Sequence, residues 1–142
     1  MIGLGFTVGN YLGGKLSAKG IDRTLVMFFI LLILSMILLP LVSNHLFLTI
    51  ITLFIWSVAS FALVPPLQIK TMQIAHDAPG LVSSVNIGAF NLGNAIGAVI
   101  GGVALKYSCN IVPLSAALVG IIGLLLVFAQ YKVKREPQRS LA

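Results

Sequence analysis

Four stretches without a single charged residue constrain this chain most: residues 25–43, 46–69, 81–105 and 111–131. Each meets the roughly 17–25 apolar residues that a helix needs to cross about 30 Å of hydrocarbon. A fifth run, residues 1–14, stops short at Lys15. The Lys15 stem can snorkel, which lets that helix reach residue 18. The first run starts at the initiator Met with no basic leader or cleavage site, so it reads as a span and not as a signal peptide. Only 8% of the 142 residues are charged and 58% are hydrophobic. A soluble domain carries about 25% charged residues, so polar material is too scarce here to cover a water-facing surface. The expected fold is an all-α integral membrane protein with five transmembrane helices at about 2–18, 25–43, 46–67, 81–105 and 111–131, followed by a basic tail, 132–142, that frays.

The net charge of +6 does not point to nucleic acid, because all nine basic residues lie between or beside the apolar runs. Lys15, Lys19 and Arg23 fall between spans one and two, Lys70 between spans three and four, and Lys132, Lys134, Arg135 and Arg139 after span five. Lys106 alone lies on the other side. By the positive-inside rule the N-terminus is outside and the C-terminus cytoplasmic, in a multi-pass membrane protein. Cys109 is the only cysteine, so no internal disulfide can form.

The glycines are organised. Gly9-Asn10-Tyr11-Leu12-Gly13 and Gly93-Asn94-Ala95-Ile96-Gly97 repeat one phrase, and each lies in a ladder at four-residue spacing: Gly5, Gly9, Gly13 and Gly93, Gly97, Gly101. Four residues turn a helix by about 400°, so each ladder is one drifting stripe without side chains. In lipid such a stripe lets two backbones approach closely. The expectation is a close helix–helix contact at both ladders. Gly97→Leu is then expected to disturb packing more than Leu124→Ala.

Span three differs from the rest. Thr49, Thr52, Trp56 and Ser60 fall within an arc of about 80°. A polar stripe with one Trp suits a cavity that grips amphipathic or aromatic solutes, although Ser and Thr also bond their own backbone. Asn86 and Asn91 read either as structural glue or as substrate contacts. Pro65-Pro66 must end or kink span three, with termination favoured. Spans two and five are mostly Leu, Ile, Val and Phe, as lipid-facing helices are. The order Gly-rich, greasy, polar-lined, Gly-rich, greasy matches two copies of a three-helix unit (polar-lined, Gly-rich, greasy) whose first helix is missing. Such three-helix repeats of opposite orientation build many secondary transporters.

Three stretches carry a family resemblance: Gly9 through Leu16 on to Asp22-Arg23-Thr24-Leu25, Pro65-Pro66-Leu67-Gln68 through Ala78-Pro79, and Asn86 through Gly102. In this order and spacing they resemble the major facilitator superfamily, in its drug:proton antiporter branch with the arabinose-efflux-like permeases. The resemblance implies that the five spans correspond to helices eight to twelve of a twelve-helix transporter. It makes Gly13, Gly14, Lys15, Lys19, Asp22 and Arg23 a cytoplasmic loop motif. It also implies a cavity-lining span three, inter-half packing of spans one and four, and partners in the lipid bilayer, a small-molecule substrate and an absent N-terminal half. The place before the first basic loop residue, acidic in the family, is held by Ala18, with Asp22 four residues on.

Apart from Lys15 near the end of span one, no span contains an Asp, Glu, Lys, Arg or His, so a proton-coupling carboxylate would lie elsewhere. His45 and His76-Asp77 read as solvated loop residues. No hydrolase triad, dinucleotide fingerprint or metal cluster is present, so no catalytic residue, enzyme activity, metal or cofactor is expected. The competing reading is an autonomous small membrane protein that associates through its Gly-rich helices as a scaffold, regulator or partner half-transporter.

Overall fold

The computed structural model describes residues 2–74 and 79–139. Among them lie six helices and no strand: α1 Ile2–Ser17, α2 Ile21–Val42, α3 Leu46–Ala62, α4 Val64–Ile74, α5 Pro79–Leu105 and α6 Ile111–Arg139. His76-Asp77 falls outside the described residues.

Four runs are long and apolar enough to cross a membrane: Ile21–Val42, Leu46–Gln73 (α3 and α4 taken together), Gly80–Leu105 and Ile111–Gln130. The 16 residues of α1 reach about 24 Å, short of the hydrocarbon thickness. The five expected spans are therefore four of full length and one shorter helix.

Span three does not terminate at its prolines. The helix breaks at Leu63, whose backbone stays right-handed helical, and resumes as α4. Pro65 and Pro66 fall in the first turn of α4, where a missing N–H costs least, and Leu67 N–H still donates to Leu63 O at 3.2 Å. The tail expected to fray is helical in its backbone through Arg139. Lys132, Lys134, Arg135 and Glu136 are all good helix formers.

The helix directions follow from which residues meet. Gly5 lies against Phe54 and Ser57, and Gly13 against Ala62, so α1 and α3 run parallel. Gly120 meets Leu32 and Ile33 while Gly123 meets Phe29, so α2 and α6 run antiparallel. Lys70 on α4 reaches Asp22 at the start of α2 at 2.8 Å. That contact gathers Lys19, Arg23 and Lys70 at one end of the bundle. Pro40, Ser43, Thr49, Cys109 and Asn110 share one groove at the opposite end.

Two buried clusters hold the bundle. Leu25, Phe28, Ala59, Ala62, Leu63 and Val127 form one, and Ile33, Met36 and Ala117 the other. Both draw on α2 and α6, so the two greasy helices pack on each other as well as facing outward. Gly120 and Gly123 permit that approach: a Cβ at Gly123 would come 2.8 Å from the Phe29 ring. In lipid, this dense contact replaces the hydrophobic drive that water would supply. The short α1–α2 turn rests on Gly20, whose φ of 154° lies in a region that side-chain-bearing residues rarely adopt. In contrast to these helices, α5 is largely exposed, resting against α4 and α6.

Candidate functional site

A gap of about 250 Å³ opens where four helices converge. Leu32 of α2, Trp56 of α3, Gly97 and Gly101 of α5, and Ser115 and Val119 of α6 line it. The helical spacing Gly97–Gly101 turns a bare backbone strip toward the gap, and no heavy atom comes within 4 Å of a Cβ built at either residue. Trp56 closes the other side while packing on the Ile33–Met36–Ala117 cluster. The Ser115 hydroxyl donates to Val112 O at 2.7 Å, so the walls are chiefly apolar. Such a space can hold a flat or amphipathic group against an indole face, with few hydrogen bonds to give.

The remaining expected cavity residues scatter. Thr52 is buried and its hydroxyl donates to Leu48 O at 2.9 Å. Ser60 donates to Trp56 O at 2.8 Å. Thr49 donates to both Val42 O (2.9 Å) and His45 O (3.0 Å), tying the α2–α3 turn. Of the four residues on the arc, Trp56 alone lines the four-helix gap, and three hydroxyls are spent on backbone. Asn86 is half-buried on α5, on the helix face that also carries Gly97. Asn91 is exposed.

The two glycine ladders, alike in sequence, have different surroundings. Gly5, Gly9 and Gly13 are buried under α3 of the same chain. A Cβ at Gly9 would meet the Val58 carbonyl and lie 3.1 Å from Ala62 N, and one at Gly13 would lie 2.9 Å from Ala62 Cα. The first ladder therefore packs against α3 within this chain. The physical reason lies at the proline pair. Pro66 has no N–H to offer the Ala62 carbonyl, and that carbonyl faces Gly13, the one residue type whose backbone can come so close. Phe6 stacks on Phe61 beside it, ring centroids 3.9 Å apart. Gly93, like Gly97 and Gly101, has nothing within 4 Å of a built Cβ, so the second ladder is open.

In the loop motif, Gly13 is covered by α3 while Gly14 has open space around it. Lys15 places its Nζ 5.7 Å from the Tyr11 ring centre, and Lys19 and Arg23 are exposed. Asp22 sits in the first turn of α2, where the helix dipole favours a carboxylate. Its partner Lys70 was not singled out in the sequence as a site residue. The signal that could have found it was its solitude, a single charge placed just past a proline-broken span. Among the described residues no three His, Cys, Asp or Glu side chains gather into a metal site.

The sequence model of the Major Facilitator Superfamily matches residues 1–142. The chain is 45% identical over 140 residues to "Inner membrane transport protein YdhP" of Escherichia coli strain K12, covering 97% of this chain and 36% of that protein. It is 32% identical over 104 residues to "Uncharacterized MFS-type transporter YfhI" of Bacillus subtilis strain 168, covering 73% of this chain and 26% of that one. Against "Probable sugar efflux transporter" of Helicobacter pylori, strain ATCC 700392 / 26695, identity is 27% over 123 residues, 87% of this chain and 30% of that one. The chain therefore spans about a third of the length of the relatives it matches most fully. No solved structure matches it significantly.

Proposed function

We propose that this chain, which belongs to the major facilitator superfamily, serves as part of a secondary active exporter of small organic molecules working by alternating access. The family and the relatives support transport across the inner membrane as the activity this chain contributes to. The observation that carries it is the gap between Trp56 and the bare Gly97–Gly101 strip, an unfilled space at the meeting of four helices. It is smaller than the roughly 300 Å³ at which ligand pockets begin, which supports a cavity completed by further helices, on the same or a separate polypeptide. The basic end of the bundle faces the cytoplasm by the positive-inside rule. The apolar cores of α2, α3, α5 and α6 carry no ionisable side chain, so the coupling carboxylate belongs to the remainder of the transporter. This chain alone, reconstituted in proteoliposomes, should give no pH-gradient-dependent efflux.

Trp56 is the only tryptophan of this chain, so once any tryptophan in the rest of the transporter is replaced by phenylalanine its emission reports on the gap. In the complete transporter, an exported compound should shift that emission saturably. Trp56→Ala should raise the half-saturating concentration roughly twofold to tenfold, the worth of one aromatic contact. Efflux that proceeds with unchanged half-saturation in Trp56→Ala would remove this gap from the substrate path.

A further inference from the structure

The outer seam between α2 and α6 contains a groove of about 410 Å³, walled by Val26, Met27, Ile30, Val127 and Phe128 and open at one end to Asp22 and Arg23. Val127 forms a floor only 7% exposed, while Met27 and Ile30 stand 46% and 43% exposed at the sides. Arg23, Val26, Met27 and Ile30 make one stripe on α2, about 10 Å from end to end. A second recess of about 150 Å³ surrounds the α1–α2 turn, includes Lys19, Gly20 and Thr24, and shares Arg23 and Met27 with the first. The two form one path that is polar and basic at the bundle's charged end and apolar along the membrane-crossing seam. Asp22 also lies on this path, but its carboxylate is engaged by Lys70 at 2.8 Å. Among the described residues, Lys19 and Arg23 are the other charges lining the path. The N-cap of α2 is Gly20, which provides no side-chain cap, so the first-turn N–H groups add positive potential at the same point.

We propose that this groove is a binding site for an anionic phospholipid, one acyl chain lying along the α2–α6 seam and the phosphate seated at the start of α2 between Lys19 and Arg23. The occupant follows from the pairing of features. A free anion would use the basic recess and leave the apolar groove unfilled, while a zwitterionic lipid would fill the groove without net charge for the recess. The groove opens sideways along helices that cross the bilayer, where lipid is the solvent. Basic pockets at the cytoplasmic ends of membrane helices recognise anionic headgroups, and each such residue is worth roughly fivefold in binding.

The test uses the protein purified and delipidated in a non-ionic detergent, titrated with dioleoyl phosphatidylglycerol or dioleoyl phosphatidylcholine, with bound lipid counted by native mass spectrometry. Phosphatidylglycerol should bind at least tenfold more tightly than phosphatidylcholine. Lys19→Gln with Arg23→Gln, both exposed, should bring the two lipids level without changing the circular dichroism spectrum. Ile30→Trp, which fills the groove, should weaken both lipids while leaving the protein helical. Millimolar inorganic phosphate should not displace the bound lipid. Equal binding of the two lipids to the unaltered protein, a preference that survives the double substitution, or displacement by inorganic phosphate would each overturn the proposal.

Discussion

Alanine at Gly9 and alanine at Gly97 should push stability in opposite directions, although the two glycines occupy matching places in a repeated phrase. At both positions the substitution gains helix propensity, about 1 kcal/mol. At Gly97 nothing opposes the gain, because a Cβ there meets no atom within 4 Å. At Gly9 the new Cβ would meet the Val58 carbonyl, with Val58 C at 3.0 Å and Ala62 N at 3.1 Å. These are backbone atoms of a packed helix, so no side chain can swing aside. Instead, α1 must move off α3, which strains the Phe6–Phe61 stack. Overpacking of this kind costs about 1–3 kcal/mol. The net at Gly9 is therefore a loss of roughly 1 kcal/mol, against a gain of up to about 1 kcal/mol at Gly97. That separation of about 2 kcal/mol is near thirtyfold in the folded ratio. Reversible unfolding in mixed micelles with rising dodecyl sulfate, read by circular dichroism and Trp56 emission, measures it. If Gly97→Ala destabilises the chain as much as Gly9→Ala, or Gly9→Ala stabilises it, the close-approach argument fails.

Three other perturbations test separate parts of the description. Gly20→Ala forces a Cβ onto a φ of 154° and should cost about 1–2 kcal/mol in the same unfolding assay, with little change in helix content. Asp22→Asn breaks a partly exposed ion pair, 21% and 32% accessible, and should cost less than about 1 kcal/mol. The deficit should shrink in high salt, and a salt-independent loss would point to packing instead of charge. Cys109 is the one cysteine and is exposed in the α5–α6 turn. A membrane-impermeant maleimide should therefore label it from outside in osmotically opened cells. Labelling only in inside-out vesicles would reverse the proposed orientation.

The helices were legible because uncharged length is a one-dimensional signal, and lipid leaves the backbone few alternatives to a helix. Lys19, Arg23 and Lys70 gather at the end that the Asp22–Lys70 pair marks, and the turns beside the Pro40–Cys109 groove carry Lys106 alone. What could not be read were relations between helices. The arc Thr49–Thr52–Trp56–Ser60 is a property of one helix, but whether a hydroxyl on it faces a cavity depends on its neighbours and on the competing backbone carbonyl. Three of the four chose the carbonyl. The comparison of Gly97→Leu with Leu124→Ala depends on the same relations. Gly97 borders an open gap, while Leu124 packs on Ile33, Met36 and Ala117, so in this chain the leucine truncation should be the costlier change. Gly120 and Gly123 were overlooked because two glycines in a greasy span form no ladder, yet they admit α2 to α6.

The different fates of the ladders are what the proposed three-helix repeat would give. If α1 and α2 in one copy correspond to α5 and α6 in the other, then α3, the polar-lined helix that opens the second copy, corresponds to the helix that would open the first. The contact of α2 with α6 maps onto itself and is present. The contact of α1 with α3 maps onto a contact between α5 and that opening helix. Gly5, Gly9 and Gly13 are covered because α3 is here to cover them, and the openness of Gly93, Gly97 and Gly101 is what the same packing rule gives when only one of its two partners is in place. On this argument a helix laid against α5 would also form the missing wall of the gap beside Trp56. One added element would then both bury the second stripe and enclose the proposed substrate path.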